Sequence, residues 1–420
     1  MRQYLLLSLV LLGACRPASG VSALRGADST SLRRDVSYLA SDALEGRRTG
    51  TAGNDSAAAY IARRFAALGL RAFAPGYLQR FDARPARNPH AEAQDSILPT
   101  QNVVGWLPGS DPVLRNEYVV IGAHFDHLGH SPQFAQDPEA KDAIRNGADD
   151  NASGTATILE LARLLARNPP KRPVIFVAFS GEEYGLLGSS YFVKNAPVPM
   201  SQVVAMLNFD MVGRLSGEKL LVYGSATAKE FPAILDSANV ATRFTLAGGG
   251  DGFGSSDHAS FYGADVPVLH FFTDLHDDYH RATDDAEKIN AAGMARVVTL
   301  AEGVARRVAD LPARMVVVRS AAPPRSTGAG NGAYFGSIPD MGATDVKGMR
   351  LTGVRAGSPA DQGGVKGGDV IVEFGGRPVT DIYSYTEAIN AYKPGDTVKV
   401  VVLRGSERVT LTVTLGRRGG

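Results

Sequence analysis

The chain has 420 residues, of which 44% are hydrophobic and 21% charged, a composition typical of about two or three folded domains and not of a disordered chain. The 44 basic residues nearly balance the 43 acidic ones, and this balance argues against a dedicated nucleic-acid binder. Cys15 is the single cysteine, which excludes an intrachain disulfide and a multi-thiolate zinc site, so a bound metal ion would need imidazole and carboxylate ligands.

The N-terminal segment has the features of an export signal. Arg2 precedes a short apolar run over residues 5–12, and residues 12–15, Leu-Gly-Ala-Cys, resemble the bacterial lipobox, in which the cysteine is lipidated. The run is shorter than the roughly 20 residues that span a bilayer. We therefore expect a signal peptide over residues 1–15, export to the cell envelope or periplasm, and membrane attachment only through a lipid at Cys15. The alternative is a plain signal peptide with an incidental cysteine.

Short apolar runs and helical patterns alternate through the next part of the chain. Apolar residues recur at spacings of three and four between Asn54 and Leu68, which predicts an amphipathic helix that ends before Gly69. Continuous apolar runs predict strands that are buried on both faces, at residues 118–123, 174–179, 203–209, 220–223 and 266–272. This alternation indicates an α/β fold with a mixed, mostly parallel central sheet flanked by helices.

Four of these runs lead into residues that can bind metal ions. In chain order they are His124 and Asp126, Glu182 and Glu183, Asp210, and finally His276 and His280. Ligands of open α/β sheets bind beyond the carboxyl ends of the strands, so we expect these side chains to meet at one edge of the sheet. Segment 147–154 adds Asp149 and Asp150 ahead of a predicted helix. Carboxylates and imidazoles without thiolates suit a pair of cations such as zinc with one bridging carboxylate.

Taken together, these motifs resemble those of the M28 metallopeptidases, a family of di-zinc aminopeptidases. The resemblance spans roughly residues 32–308 and rests on segments 42–47, 119–126, 147–154, 179–183, 208–211, 256–258 and 279–280, in the family's order. It implies that His124 and Asp210 hold one Zn²⁺ ion, that Glu183 and His280 hold the other, and that Asp150 bridges both. It further implies that Asp126 fixes the ring of His124 and that a cis peptide bond follows Asp150.

The resemblance also implies a reaction. Two zinc ions would lower the pKa of a shared water toward about 7, and Glu182 would act as the general base that takes its proton. The metal-bridged hydroxide would attack a peptide carbonyl while one zinc ion binds the free amine of the substrate. We therefore expect a secreted metallo-aminopeptidase that acts on peptide or protein substrates. Glutaminyl cyclisation or carboxypeptidase action on the same fold is the alternative chemistry.

Other histidines lie close to these motifs in the sequence. His276 competes with His280 for the last ligand position, and the family pattern favours His280. His127 and His130 follow the first strand in a loop and are rival ligands that the pattern does not favour. His270 falls inside a predicted strand, which is typical of a buried structural histidine.

The C-terminal residues predict a second, smaller domain. A linker rich in Pro and Gly separates the two parts, so we expect a peptidase domain over residues 24–312, a linker over 313–332 and the small domain over 333–418. Alternating runs predict strands at residues 370–374, 398–403 and 410–414, with a short helix at residues 385–391. The composition is that of a small β-rich domain.

The motifs of this small domain resemble those of PDZ domains of the bacterial protease-associated type. The matching segments are residues 356–360, Ala-Gly-Ser-Pro-Ala, and residues 363–371. PDZ domains bind a peptide C-terminus by β-augmentation, which implies a peptide ligand with its carboxylate at loop 334–337. Ser337 stands where an apolar residue is more usual. The alternatives are that the domain only packs against the peptidase part, or that the whole chain is a non-catalytic envelope adaptor.

Overall fold

The computed structural model describes residues 26–84, 97–132, 134–137, 139–319, 333–339, 346–354, 357–380, 384–385, 388–389 and 391–417. The predicted signal peptide with Cys15 and residues 320–332 of the predicted linker lie outside the described residues, and the helix predicted at residues 385–391 lies partly outside them. Buried apolar side chains form core clusters between Leu32 and Met315 and a separate cluster between Phe335 and Leu415. No described helix is long and apolar enough to cross a membrane.

The helices of the N-terminal part flank a central sheet. They are α1 Ser29–Leu39, α2 Ala52–Ala67, α3 Gly154–Arg167, α4 Leu187–Lys194, α5 Phe231–Asn239, α6 His258–Tyr262 and α7 Ala291–Asp310. Helix α2 begins two residues before the predicted start, because the Thr51 side chain caps it by accepting the Asn54 backbone N–H. Ala58, Ile61 and Phe65 are buried on its inner face, as their spacing predicts.

The strands of the N-terminal part form one sheet. They are β1 Arg71–Ala72, β2 Leu78–Ala83, β3 Leu98–Leu107, β4 Tyr118–His124, β5 Val174–Phe179, β6 Val203–Phe209, β7 Lys219–Tyr223, β8 Thr245–Ala247 and β9 Val268–Phe272. These nine described strands run in the order β1-β3-β5-β4-β6-β9-β7-β8, with β2 paired to β3. The mixed α/β class predicted from the sequence is confirmed.

The centre of this sheet brings four strand ends to one edge. Strands β5, β4, β6 and β9 are neighbours and pair in parallel. Strand β4 lies between β5 and β6, so the chain goes from β4 to β5 on one side and then crosses back to β6 on the other side of β4. Such a reversal of strand order opens a crevice beyond the carboxyl ends of the strands.

The antiparallel strands at one margin were not predicted. Strand β3 pairs antiparallel with both β2 and β5. Its first half, Leu98–Asn102, contains Pro99 and three polar residues, so it lacks the continuous apolar run that identified the central strands. Thr100, Gln101 and Asn102 are nevertheless buried. Their side chains bond to helices α2 and α4, which only the tertiary structure brings next to this strand.

The packing of the N-terminal part continues beyond residue 313, where the linker is predicted to begin. Met315 is buried in the main core cluster, and Val317 forms a β-bridge with Ala228. The Arg319 guanidinium contacts the Asp265 carboxylate. The packed region therefore extends at least to residue 319.

The C-terminal part is a small, mostly antiparallel β structure. Its elements are β10 Ala333–Tyr334, β11 Ser337–Pro339, β12 Met349–Val354, α8 Pro359–Gln362, β13 Val370–Phe374, β14 Arg377–Pro378, β15 Thr397–Arg404, β16 Glu407–Thr414 and β17 Gly416–Arg417. One sheet has the order β11-β12-β13-β15-β16, with β14 on β13, and β10 pairs with β17. Strand β11 lies at the edge of its sheet. The buried Asp369 carboxylate accepts two hydrogen bonds from Arg404 and ties β13 to β15.

Candidate metal centre

Strand register places the predicted site residues at one edge of the sheet. His124 is the last residue of β4, and Asp210 directly follows β6. The Phe125 N–H bonds to the Phe179 carbonyl, and the Asp210 N–H bonds to the Phe271 carbonyl, so the ladder continues up to the site. Glu182, Glu183 and His280 lie in the loops after β5 and β9, and Asp150 lies in an irregular turn, Ala148–Ser153, that leads into α3.

One group of potential ligands surrounds the Nε2 atom of His124. This atom lies 3.3 Å from Asp150 Oδ1 and 3.3 Å from Asp210 Oδ1. His124 and Asp150 are buried, whereas Asp210 is partly exposed. These three residues could hold a metal ion.

A second group surrounds the Nε2 atom of His280. It lies 3.1 Å from Asp150 Oδ2 and 3.2 Å from Glu183 Oε2. His127 also belongs to this region: its Nδ1 atom is 2.6 Å from Glu183 Oε1, and His127, Asp150 and Glu183 form a further group that could hold a metal ion. Asp150 thus presents one carboxylate oxygen to each group, which is the arrangement that a bridging ligand requires.

The spacing and chemistry of these donors fit divalent cations. Ligand atoms about 2.0–2.1 Å from a tetrahedral Zn²⁺ ion are separated by roughly 3.3 Å, close to the distances that join each His Nε2 to its carboxylate neighbours. Burial opposes charge on His124 and His280, yet carboxylates raise the pKa of both imidazoles well above the ordinary value; the main contributors are Asp210 for His124 and Glu183 for His280. The potential at both Nε2 positions therefore favours positive charge.

Glu182 lies beside this centre without belonging to either group of three donors. Its Oε2 atom is 4.0 Å from His124 Nε2. Burial raises the pKa of Glu182 well above its usual range; His124 opposes the shift, and Glu183 and Asp210 add to it. A carboxylate beside the ligand groups, outside both of them, is placed to exchange a proton with a group bound at the centre.

Asp126 supports both His124 and Glu182, through different atoms. Its backbone carbonyl lies 3.2 Å from His124 Nδ1, while its carboxylate is 3.8 Å from that nitrogen, beyond hydrogen-bond distance. The carboxylate instead accepts the Thr49 hydroxyl and the Glu182 backbone N–H, at 2.8 and 3.2 Å. Asp126 therefore fixes the His124 ring through its main chain and the Glu182 backbone through its side chain.

The turn that carries Asp150 is held by a buried carboxylate that the sequence did not identify. Asp284 Oδ2 accepts the backbone N–H groups of Asp149 and Asp150, at 2.9 and 3.1 Å. His276, the rival to His280, has its Nε2 atom 3.1 Å from Asp149 Oδ2 and so supports this turn. The peptide bond between Asp150 and Asn151 is cis, as the family resemblance implies.

Arg47 holds together several backbone segments next to the centre. Its side chain is fully buried and donates hydrogen bonds to the carbonyls of Leu39, Phe125, Asn146 and Gly147, at 2.5 to 2.9 Å. Burial lowers the pKa of Arg47 to about 10, although Asp126 and Asp150 oppose the shift. The sequence marked Arg47 only as part of a motif, and its contacts depend on segments that are distant in the chain.

A series of hydrogen-bonded side chains that ends at Asp210 was also not predicted from the sequence. The Ser256 hydroxyl donates to Asp210 Oδ2 at 2.7 Å, and Asn208 Nδ2 lies 2.8 Å from Ser256 Oγ and 3.1 Å from His270 Nδ1. The position of Ser256 directly before Asp257 and His258 is the sequence signal that could have found it. Burial lowers the pKa of His270 to about 3, as expected for a neutral structural histidine.

Two family models match this chain. Residues 102–305 match Peptidase family M28, and residues 316–415 match the PDZ domain. The first match contains the strand ends and loops that carry the two ligand groups.

Individual proteins are similar to the N-terminal part of this chain in sequence or in fold. Aminopeptidase YwaD of Bacillus subtilis is 28% identical over 204 residues, which cover 46% of this chain and 41% of YwaD. The structure of BSAP, a zinc aminopeptidase from Bacillus subtilis, has a TM-score of 0.54 at 18% identity over 67% of this chain and 94% of its own. A glutaminyl cyclase from Porphyromonas gingivalis has a TM-score of 0.56 at 18% identity, over 67% of this chain and 98% of its own. These structures share the fold.

Proposed function

Because the chain carries a Peptidase family M28 domain followed by a PDZ domain, we propose that it is a zinc-dependent aminopeptidase that releases N-terminal residues from peptide or protein substrates. The observation that carries this proposal is the shared carboxylate of Asp150, whose two oxygens face two separate imidazoles at 3.3 and 3.1 Å. A paired centre of this kind, with a free carboxylate beside it, suits hydrolysis of an amide bond.

The proposed centre holds two Zn²⁺ ions. His124 and Asp210 would bind one ion, Glu183 and His280 would bind the other, and Asp150 would bind both. Bound in this way, the ions supply Lewis acidity and lower the pKa of water.

Glu182 is the proposed general base. Its carboxylate accepts a proton from the attacking water and returns it to the nitrogen of the departing amine. The hydrogen bond from its backbone N–H to Asp126 sets the position of its main chain beside His124.

Side-chain exposure indicates the direction from which a substrate enters. Asp210, Glu182 and His280 are 14, 12 and 11% exposed, while His124, Glu183 and Asp150 are 1, 4 and 5% exposed. The more exposed groups therefore mark the side of the centre that faces an entering substrate.

A substrate panel with and without chelator tests the activity. We expect the purified full chain to hydrolyse aminoacyl p-nitroanilides, to lose this activity in EDTA, and to regain it with zinc. A matched N-acetylated substrate should not be cleaved, since it lacks the free amine. Release of pyroglutamate from a glutaminyl peptide, or cleavage only at the carboxyl end, would instead support the cyclase or carboxypeptidase alternative.

The PDZ part is proposed to bind the C-terminus of a peptide at the free edge of β11. The Ser337 hydroxyl lies 2.5 Å from the Tyr385 hydroxyl, and Tyr385 packs edge-on against Phe335 and Phe374. This buried tyrosine fills space next to the edge strand, so we expect weak binding of small or polar C-terminal residues. Fluorescence anisotropy with a free-acid peptide and its C-terminal amide would test this, since only the free acid should bind.

The proposed location is the cell envelope, with a lipid on Cys15 as the membrane anchor. The support is the Leu-Gly-Ala-Cys sequence behind a basic residue and a short apolar run. Metabolic labelling with an alkyne fatty acid should label the wild-type chain and not a Cys15→Ala variant. Labelling of both would refute the anchor.

A further inference from the structure

His127 contacts the centre through one ring nitrogen only. The residue is fully buried, and its Nδ1 atom lies 2.6 Å from Glu183 Oε1. Its Nε2 atom is also buried and has no hydrogen-bond partner among the described residues. Asp150 Oδ2 is 3.8 Å from Nδ1, too far for a hydrogen bond.

This asymmetry selects the tautomer of the ring. A neutral imidazole carries one N–H group and one lone pair. If Nδ1 bound a metal ion, the proton would be on Nε2, and this buried N–H would have no acceptor among the described residues. If the proton is on Nδ1, the short contact to Glu183 Oε1 becomes a hydrogen bond, and Nε2 keeps only a lone pair. In the second arrangement the Nδ1–H donor is satisfied. The 2.6 Å separation of Nδ1 from Glu183 Oε1 is also shorter than the roughly 3.3 Å between two ligand atoms of one tetrahedral Zn²⁺ ion, so this contact fits a hydrogen bond better than shared ligation of one ion.

The two oxygens of Glu183 are then used differently. Oε1 accepts a hydrogen bond from His127 Nδ1–H, while Oε2 faces His280 Nε2 at 3.2 Å. Oε2 is therefore the oxygen that remains for a metal ion beside His280 and Asp150.

The ring of His127 is held where this hydrogen bond requires it. A Cβ atom at Gly147 would lie 2.4 Å from His127 Cγ and 2.5 Å from its Cδ2, so only a glycine lets the backbone pack this closely on the ring. The ring also meets His280 edge-on, with centroids 5.6 Å apart.

We propose that His127 is a positioning residue, which donates its Nδ1–H to Glu183 Oε1 and so restricts Glu183 to binding a metal ion through Oε2 alone. This inference rests on the proposed metal centre and is independent of the substrate. Hydrogen-bond partners of ligands commonly affect metal affinity by about 10–100-fold.

Two substitutions separate positioning from ligation. His127→Asn keeps an N–H donor close to the position of Nδ1 but is a poor zinc ligand. His127→Leu keeps most of the bulk and has no donor. His130 is an exposed histidine in the same loop, and His130→Leu serves as the matched control. Zinc affinity of the full chain is measured by competition with a fluorescent chelator, and the melting temperature of the metal-free variants reports folding.

We expect the His127→Leu variant to bind the zinc ion at Glu183 and His280 about 10–100-fold less tightly than wild type does. His127→Asn should stay within about threefold of wild type, as should the His130 control. Equal losses in the Asn and Leu variants would overturn the proposal, because they would indicate that the imidazole itself is a ligand. Unchanged affinity in the Leu variant would overturn it too.

The tautomer provides a test that needs no bulky substitution. In the zinc-loaded chain labelled with ¹⁵N-histidine, the resonances that disappear in His127→Asn should report a protonated Nδ1 and an unprotonated, metal-free Nε2. A metal-bound Nδ1 would refute the inference even if the Leu variant failed to fold. Failure of the wild-type chain to bind zinc would instead refute the proposed centre, which distinguishes the two failures.

Discussion

Replacement of Glu182 by Gln tests the proposed base most directly. The two side chains have nearly the same size, and the Glu182 backbone N–H still reaches Asp126 in the variant. Glu182 Oε2 is 4.0 Å from the nearest ligand nitrogen and is outside both groups of three donors. The substitution should therefore leave folding and zinc stoichiometry intact while it removes the proton acceptor.

The expected loss follows from the role of the group. A positioned general base contributes about 10²–10⁴-fold to the rate, equivalent to about 3–5 kcal/mol of the activation barrier. We therefore expect kcat to fall by at least about 100-fold, with KM changed much less. The assay is hydrolysis of an aminoacyl p-nitroanilide, with zinc content measured on the same sample.

The neighbouring residue provides a matched control. Glu183→Gln makes the same chemical change one residue away but removes a proposed ligand, Oε2, that lies 3.2 Å from His280 Nε2. This variant should lose zinc together with activity, whereas Glu182→Gln should lose activity alone. A Glu182→Gln enzyme with the parental rate, or a Glu183→Gln enzyme with full zinc content, would refute the assignment of roles.

Three further predictions concern the surroundings of the centre. Burial, assisted by nearby carboxylates, raises the pKa of Asp257 from 3.8 to about 7, so ionisation of Asp257 lowers the stability of the fold progressively from about pH 4 to pH 7. Asp257→Asn should therefore raise the melting temperature of the metal-free protein at pH 8 and leave it unchanged near pH 4. The opposite pH trend would contradict this prediction. Gly147→Ala would put a Cβ atom 2.0 Å from the Asp150 backbone oxygen, so calorimetry should show a loss of stability and zinc titration should show weaker zinc binding. Gly217→Ala is the control, because Gly217 also has a positive φ but a Cβ atom there would meet no atom within 4 Å. It should cause only a small loss of stability. In Arg47→Lys, the lysine side chain cannot reach all four carbonyls that Arg47 contacts. Urea unfolding should show that the free energy of unfolding falls by about 1–3 kcal/mol for each carbonyl left without a donor. A free energy of unfolding equal to that of wild type would refute this role of Arg47.

The central strands could be predicted from the sequence because their signal is local. Strands β4, β5, β6 and β9 are buried on both faces, so each appears as a continuous apolar run whatever its neighbours are. Strand β3 could not be predicted in this way. Its buried polar residues are satisfied by side-chain hydrogen bonds to distant parts of the chain, and such partners have no fixed spacing in the sequence.

The candidate ligands were predictable for a related reason. Residues that follow parallel strands reach the same edge of the sheet, so the positions of His124, Glu183 and Asp210 in the chain already indicated a common site. The choice of His280 over His276 rested on a family pattern, and the structure places His276 against Asp149 instead.

The sequence alone determined the fold class and which residue types could meet at one edge of the sheet, because strand periodicity and strand-end chemistry are properties of short segments. The tertiary structure decided which atom of each side chain does what. Only packing shows that Asp126 holds His124 through its carbonyl, that Ser256 bonds to Asp210, and that His127 meets Glu183 through one nitrogen while the other has no described partner. These contacts depend on distances of a few ångströms between residues far apart in the chain, and no spacing rule within the sequence encodes them.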